Sequence, residues 1–426
     1  MRYIISTLGC KVNQYETQAM ETLLRRQGHS PAAGEPADAV IVNTCAVTAE
    51  SGRKSRQTIR RLRQENPGAV LAVCGCYSQI SPEEAREIGA DIIFGAADRA
   101  EFIRAVEEAV RSGRGETRID EPFKRQSIER LPAGAVSGRT RAMLKIQDGC
   151  VNFCSYCIIP YTRGRLRSLP IEEAAAEARR LSEEGYRELV LTGIEVASYG
   201  VDLPGKPGLA DVIEAVAASC GDMRLRLSSL EPTVISEDFC RRVAATGKLC
   251  RHFHLSLQSG CDRTLKSMNR KYDTARFYEA VCLLRKYFPG CAIACDLITG
   301  FPGETEQDHK DTLRFIRRCA FSAMHIFPYS RRPGTPADSM PMQLTQAVKS
   351  KRAHEAGLIA DEMHREFMQS SLGLTLPVLF ESGGEGSVGH SDTYLSVKVP
   401  QTGLCGQLLS VRISGVESDM LIGEII

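Results

Sequence analysis

The 426 residues carry 54 Lys and Arg against 52 Asp and Glu, a net charge of +2, with 43% apolar and 25% charged residues. This is an ordinary globular composition, too long for one core and suggesting about three domains of roughly 150 residues, and it excludes a globally basic nucleic-acid binder, so any RNA contact must come from local patches. The segment from Met1 to Cys10 lacks a signal-peptide run and no stretch approaches a membrane span, so a cytoplasmic protein without a membrane partner is expected, its 16 cysteines kept as thiols for metal or redox chemistry.

Over residues 1–112, apolar runs at 3–8, 39–43, 69–73 and 91–94 read as buried parallel strands, with helices predicted over 14–26, 50–64, 82–88 and 100–112. The alternation predicts a small doubly wound α/β domain, in which functional groups gather beyond the carboxyl ends of the strands. Cys10, Cys45 and Cys76 fall just past the first three strands and would converge on one sheet edge. Any one of them reads equally well as a small buried hydrophobe, but three at equivalent positions favour a ligand set. Cys74 competes with Cys76; Gly75 before Cys76 marks the turn into the crevice, so Cys76 is the expected ligand. On the second helix, Arg53, Arg56, Arg60 and Arg63 recur at helical spacing, either to track RNA phosphates or as a solvated face.

Residues 113–140, with Gly113, Gly115, Pro122, Pro132, Gly134 and Gly138 among many charges, read as a linker. From 141 to 364, strands predicted at 143–147, 188–192, 223–228, 253–257, 292–298 and 323–327 alternate with helices. Six βα units are too few for a closed eight-stranded barrel and predict an open one, working at the strand C-termini. Directly after its first strand stands Cys150-x3-Cys154-x2-Cys157. Three thiolates hold three irons of a cubane and leave the fourth to a ligand that is not protein. Arg163, Arg165 and Arg167 follow, placed to hold an anionic substrate or to form structural ion pairs. Residues 365–426 change to short strands between Gly-rich turns, a small OB-like β-barrel suited to nucleic acid or to plain packing.

The Cys-x3-Cys-x2-Cys array with Tyr156 before its last cysteine resembles the radical S-adenosylmethionine signature. Together with Leu8-Gly-Cys-Lys-Val-Asn-Gln14, Asn43-Thr-Cys45, Gly75-Cys76, Pro160-Tyr-Thr-Arg-Gly-Arg165, Ser256-Leu-Gln-Ser-Gly260 and Gly300-Phe-Pro-Gly-Glu-Thr305, it is similar over essentially the whole chain to the methylthiotransferases. Within that family the Gly-Cys-Lys-Val-Asn-Gln opening is most similar to the branch acting on threonylcarbamoyladenosine in tRNA. The C-terminal barrel looks like that family's TRAM domain.

The resemblance implies two [4Fe–4S] clusters, one on Cys150, Cys154 and Cys157 and an auxiliary one on Cys10, Cys45 and Cys76. It implies S-adenosylmethionine, two per turnover, one cleaved reductively to a 5′-deoxyadenosyl radical and one giving a methyl group. The reaction implied is methylthiolation at C2 of the adenine in N6-threonylcarbamoyladenosine, 3′ of the tRNA anticodon, with an external one-electron donor and the anticodon stem-loop as partners. An aromatic C–H has no acidic proton, so a radical route needs no acid–base residue. Tyr156, Gly193, Glu195, Ser256, Gln258 and Gly300 are the expected cofactor contacts, with surface-loop and turn roles open for each. Arg53, Arg56, Arg60, Arg163 and Arg165 are the expected substrate contacts. The rivals are methylthiolation of isopentenyladenosine in tRNA or of a ribosomal-protein aspartate, and, in another class, a zinc-holding RNA-binding protein; zinc sites want four ligands where each group here offers three.

Overall fold

The protein is described by a computed structural model covering residues 1–134 and 140–426. The end of the expected linker, Gly138 included, lies outside the described residues. The chain forms two compact units: one from the described residues of Met1–Ser137 with Lys145–Leu169 and Ser330–Asp338, the other from the remainder. The first unit is therefore discontinuous, gathering segments that the linear boundaries at 112, 140 and 364 would separate.

Its sheet is built from β1 (Arg2–Thr7), β2 (Ser30–Pro31), β3 (Ala39–Thr44), β4 (Val70–Gly75), β5 (Ile92–Phe94) and β6 (Glu116–Arg118), in the order β2-β1-β3-β4-β5-β6 and parallel throughout. The helices are α1 (Lys11–Arg26), α2 (Ala49–Glu65), α3 (Cys76–Ile80), α4 (Pro82–Glu87) and α5 (Arg99–Ser112). Alternation sorts the strands' side chains between two cores. Ala39, Ile41, Ala72 and Cys74 pack with Met20 and Leu24 of α1 and Phe102 and Val106 of α5, while Val40, Val42, Leu71 and Val73 pack with Ile59 and Leu62 of α2. Each such fully buried aliphatic or aromatic side chain contributes about 1.5–3 kcal/mol, and burial on both faces is why the strands read as continuous apolar runs. The edges escaped the sequence reading because they have no apolar signal: β2 and β6 are short and wholly exposed, as edge strands that must resist further pairing are.

β7 (Arg141–Asp148) begins in the second unit and ends in the first. There it meets β8 (Arg167–Ser168) in antiparallel register, Gln147 opposite Ser168, after the five-residue α6 (Ile159–Arg163).

In the second unit α7 (Ile171–Glu183), β9 (Glu188–Gly193), α8 (Leu209–Ser219), β10 (Arg224–Leu227), α9 (Glu237–Ala245), β11 (His252–Gln258), α10 (Asp262–Ser267), α11 (Thr274–Tyr287), β12 (Ala292–Thr299), α12 (Glu306–Cys319) and β13 (Ala323–Pro328) follow the expected βα alternation. β9 pairs parallel with β10, and β11, β12 and β13 form a parallel set; bridges at Leu225–Leu249 and Leu230–Leu255 join the two groups. After the long α13 (Gln346–Gln369), β14 (Thr375–Gly384), β15 (Gly386–Ser391), β16 (Ser396–Val399), β17 (Leu408–Glu417) and β18 (Met420–Ile425) close a barrel in the order β14-β15-β16-β18-β17. Its filling alternates along each strand, with Leu376, Val378 and Phe380 on β14 and Val411 and Ile413 on β17.

A buried carboxylate anchors this barrel. Glu188, at the start of β9, accepts from Arg224 Nε at 2.6 Å and Arg226 Nε at 2.8 Å. The two guanidinium groups then donate to the carbonyls of Pro377, His390, Ser391 and Asp392 at 2.9–3.1 Å. The anchor uses the amino ends of β9 and β10, opposite the loops that leave the carboxyl ends of these strands.

Candidate functional site

Three adjacent strands deliver three cysteines. Cys10 caps the start of α1 just past β1, Cys45 follows β3 directly, and Cys76 opens α3 at the end of β4. The Cys10 thiol feels the charge of Cys76, and the Cys45 thiol that of both. Burial first, then the neighbouring Cys76, pushes the Cys45 thiol up to about 11, so without a compensating cation it holds its proton. Cys74 lies in the core on the other face of the sheet. Two glycines bring the turns together: at Gly9 (φ +99) a Cβ would stand 2.6 Å from Cys45 Sγ, and at Gly75 (φ +107) it would stand 2.4 Å from the Thr44 carbonyl.

Asn13 on α1 fixes the geometry. Its Nδ2 donates to the carbonyls of Leu8 at 2.7 Å and Thr44 at 3.0 Å, while Asn43 Nδ2 donates to the Asn13 carbonyl at 3.0 Å. Ser55 Oγ accepts from the Cys45 amide at 3.3 Å and donates to its carbonyl at 3.0 Å. The turns carrying Cys10 and Cys45 are thus tied by side chains of the two helices that follow them.

The second array occupies the loop between β7 and α6. The Cys150 amide donates to the Gly164 carbonyl at 3.0 Å, the Cys157 amide to Cys154 at 2.9 Å, and the Asn152 amide to Cys150 Sγ at 3.5 Å, a contact that suits a thiolate. Cys154 is buried, while Cys150, Tyr156 and Cys157 are half-buried. The Ala337 amide donates to the Ser155 carbonyl at 2.7 Å, which explains why residues 330–338 belong to this unit.

Between the two arrays lies a buried charge network. Glu16 is paired with Arg99 at 2.8 Å, Lys145 at 3.1 Å and Arg163, all with side chains no more than 1% exposed. Lys145 reaches Asp148 at 3.1 Å, and Arg163 and Arg167 reach it at 3.5 Å. Burial alone would raise the Glu16 carboxyl; the charges of Arg163, Arg99 and Lys145 outweigh it and hold it well below the usual range. The same balance, with Lys145, Arg163 and Arg167, lowers Asp148. Arg163 therefore makes the structural ion pair weighed for it in the sequence, and its guanidinium is not open to substrate. Two residues on, Arg165 is exposed and has no ion-pair partner among the described residues.

Arg53 is bonded to Glu50 at 2.8 Å and Arg56 lies 3.5 Å from Glu84, both on exposed ground; Arg60 is exposed and unpaired among the described residues. A group of exposed aromatic rings carries no signature in the sequence: Phe123 stacks on Phe153 at 6.3 Å, and Phe153 meets Tyr161 edge-on at 6.0 Å. Phe153 has φ +46, strained for a residue with a side chain.

In the second unit the expected cofactor contacts stand at carboxyl ends of strands. Gly193 ends β9, and Glu195 just beyond it is buried with its carboxylate accepting from the Ala197 amide at 3.2 Å. Ser256 and Gln258 end β11, where the ladder with β12 is irregular and Gln258 adopts φ +64. Gly300 follows β12 and lies against Lys349 of α13, whose Cγ would be 2.5 Å from an added Cβ.

Residues 144–316 match the Radical SAM superfamily, and residues 2–95 match the Uncharacterized protein family UPF0004. The threonylcarbamoyladenosine tRNA methylthiotransferase MtaB of Bacillus subtilis (strain 168) is 38% identical over 96% of this chain and 92% of its own length. The chain belongs to the radical SAM tRNA methylthiotransferases. The same-named protein of Thermotoga maritima is 34% identical over 88% of this chain and 86% of its own. A tRNA-2-methylthio-N(6)-dimethylallyladenosine synthase of Pelotomaculum thermopropionicum is 31% identical over 99% and 97%. Among solved structures, the radical S-adenosylmethionine methyltransferase TsrM of Kitasatospora setae, with cobalamin and a [4Fe–4S] cluster bound, shares the fold at TM-score 0.59 and 16% identity, over 79% of this chain and 74% of that one.

The methylthiotransferase is thus an enzyme that uses S-adenosylmethionine and [4Fe–4S] clusters. Among the described residues no three His, Cys, Asp or Glu side chains close on a single metal ion. The donor chemistry fits a larger iron–sulfur core: Cys10 and Cys45 lie within electrostatic reach of each other and of Cys76, and Arg163 within reach of Cys10 and Cys76. No helix among the described residues is long and apolar enough to cross a membrane.

Proposed function

We propose that the enzyme methylthiolates C2 of the adenine in N6-threonylcarbamoyladenosine, 3′ of the anticodon, giving the 2-methylthio nucleoside. The observation that carries this reading is Arg165, an exposed, unpaired cation two residues beyond the buried Arg163. The threonylcarbamoyl group ends in a carboxylate that a guanidinium grips bidentately, whereas an isopentenyl group offers it nothing.

When bound, the clusters and S-adenosylmethionine supply the radical cleavage, sulfur transfer and methyl donation that an unactivated aromatic C–H requires. The chain's own part is placement. Cys150, Cys154 and Cys157 would hold one cluster and Cys10, Cys45 and Cys76 the other, each thiol releasing its proton to water and ligating iron as the thiolate. Glu195 pairs with the ammonium of S-adenosylmethionine, Gly193 and Gly300 let backbone approach it, and Ser256 and Gln258 contact it from the end of β11. Phe123, Phe153 and Tyr161 offer faces on which loop bases stack, a contact worth about 1–3 kcal/mol per base, and Arg53, Arg56 and Arg60 follow phosphates. An external one-electron donor in the cytoplasm completes the requirements.

The test is an anaerobic assay of the iron-loaded enzyme on anticodon stem-loops carrying threonylcarbamoyladenosine, isopentenyladenosine or unmodified adenosine, read by mass spectrometry of the nucleosides. Methylthiolation of the first alone is expected. Modification of the isopentenyl substrate alone overturns the reading. In the same preparation, two cubanes give about eight irons per chain, and about four when either cysteine trio is replaced by alanine.

A further inference from the structure

The strands of the second unit carry a polar layer on the face turned away from their helices. Along these strands every other residue is packed: Leu191, Leu227, Leu255 and Cys295 are no more than 2% exposed. Phe253, on the same face as Leu255, meets Phe288 at the end of α11 at 4.8 Å, which marks this as the helix side. The intervening residues turn to the opposite face, and register sets them in rows. Ser228, whose amide donates to the Leu191 carbonyl at 3.0 Å, stands beside Thr192. His254 shares its face with Asp296, and Asp296 is in register with His325. His254 Nε2 is 3.0 Å from Asp296 Oδ2, and the His254 and His325 rings stack at 5.6 Å.

Three atoms of this layer lack a partner. Thr192 Oγ1, Ser228 Oγ and His254 Nε2 are buried and hydrogen-bonded to nothing among the described residues, the approach of His254 to Asp296 lacking the alignment of a hydrogen bond. A buried polar group left so costs about 1–3 kcal/mol. Toward the amino ends of the strands the layer has a floor. Arg226 and His252 stand two residues before Ser228 and His254, and Tyr394 lies under both, 4.8 Å from the Arg226 guanidinium and 5.0 Å from the His252 ring. Toward the carboxyl ends come Gly193, Ser256 and Gln258, the proposed cofactor contacts. The His254 and Asp296 side chains are 12% and 29% exposed and His325 is open, so a ligand enters this blind slot from the cofactor end.

We propose that Thr192, Ser228, His254, Asp296 and His325 form the slot that reads the substituent on N6 of the substrate adenine, Asp296 accepting from the threonyl hydroxyl while Thr192, Ser228 and His254 bond the ureido group. The inference rests on the reading that threonylcarbamoyladenosine is the substrate. The layer does not close on a metal ion, and its hydroxyls, imidazoles and carboxylate suit a group that carries donors and acceptors a few bonds apart. An isopentenyl substituent would fill the slot and leave those groups unpaired, the kind of mismatch that polar sites reject most strongly. Asp296 repels a second carboxylate, so the carboxylate of the substituent is left to Arg165.

The experiment uses the full iron-loaded chain and two anticodon stem-loops, one carrying threonylcarbamoyladenosine and one its 2-aminobutyryl counterpart, in which hydrogen replaces the hydroxyl. Binding is read by fluorescence anisotropy without reductant, so that no turnover occurs. Wild type should bind the counterpart about ten- to a hundredfold more weakly, the scale of one hydrogen bond to a charged group. Asp296→Asn should weaken the threonyl stem-loop toward that level and leave the counterpart where wild type has it. Thr192→Val, which lacks only the hydroxyl, should weaken both about fivefold. Equal wild-type affinity for the two stem-loops overturns the proposal, and needs no variant that folds. Equal weakening of both by Asp296→Asn overturns it too, because the residue is then a structural support. A Thr192→Val enzyme that binds both as wild type does removes the ureido contact. Wild type that methylthiolates only an isopentenyladenosine stem-loop removes the substrate reading itself, whereas equal action on the threonyl stem-loop and its counterpart removes the slot alone.

Discussion

Arg163 Nη2 lies 2.9 Å from Asn13 Oδ1, and this one hydrogen bond links the turns of both cysteine arrays. Asn13 ties the turns that carry Cys10 and Cys45, while Arg163 ends the short helix after Cys157. The bond has a buried carboxylate behind it, since Arg163 is also paired with Glu16.

Removing that carboxylate should be costly. Glu16→Gln leaves Arg99, Lys145 and Arg163 without their shared anion, and loss of one member of a buried ion pair costs about 3–5 kcal/mol. Chemical denaturation of the iron-free protein should show a lower midpoint for Glu16→Gln, and a smaller loss for Arg163→Lys. A midpoint within error of wild type for Glu16→Gln would mean that the network contributes nothing to stability.

The same groups set the response to acid. The carboxyls of Glu16, Asp148 and Glu188 all sit below their ordinary values, against the opposing effect of burial, because of Arg163, Lys145 and Arg226 as the leading partners. A carboxyl depressed in the folded state binds fewer protons there than when unfolded. Its contribution is therefore complete above the unfolded value, about 4, and is lost as the pH falls below it. Unfolding free energy should be flat from neutrality to about pH 5 and then drop. Replacing Asp148 with Asn should lower the plateau and shallow the drop.

How much of this was legible beforehand differs from residue to residue. The strands delivering Cys10, Cys45 and Cys76 announce themselves by runs such as Ala39-Val-Ile-Val, buried on both faces, and Gly75, with its left-handed turn at φ +107, separates Cys76 from Cys74, which on a regular strand would share a face. Glu16 and Arg163 were hidden, because an acid on an amphipathic helix and an arginine in a loop look solvent-facing until the fold encloses them. β6 went unseen because three exposed polar residues carry no periodicity.

A methyl group at Gly9 should damage iron binding at one array only. At φ +99, with Cys45 Sγ 2.6 Å from the added atom, Gly9→Ala must move either turn, with a stability loss above about 1 kcal/mol. Iron counting with the Cys150 array replaced by alanine should show loss, whereas Gly9→Ala with the Cys10 array replaced should keep its remaining iron. Equal loss at both arrays would mean general unfolding.

Substrate discrimination should follow Arg165. Arg165→Gln is expected to raise KM for the threonylcarbamoyladenosine stem-loop about tenfold or more, the scale of one lost charged contact, with kcat little changed. Arg60→Gln should instead reduce the salt dependence of stem-loop binding by about one phosphate contact while leaving nucleoside preference alone. An unchanged KM for Arg165→Gln points the search for the carboxylate partner elsewhere.

The first unit is stitched from segments far apart in the chain, and residues 330–338 are among them. During synthesis the ribosome has delivered more than three-quarters of the polypeptide before residues 330–338 emerge. A nascent fragment ending near residue 112 therefore holds all of Cys10, Cys45 and Cys76 yet lacks Arg163 and the later segments that complete their unit, so filling of the proposed cluster there is best timed after translation rather than alongside it.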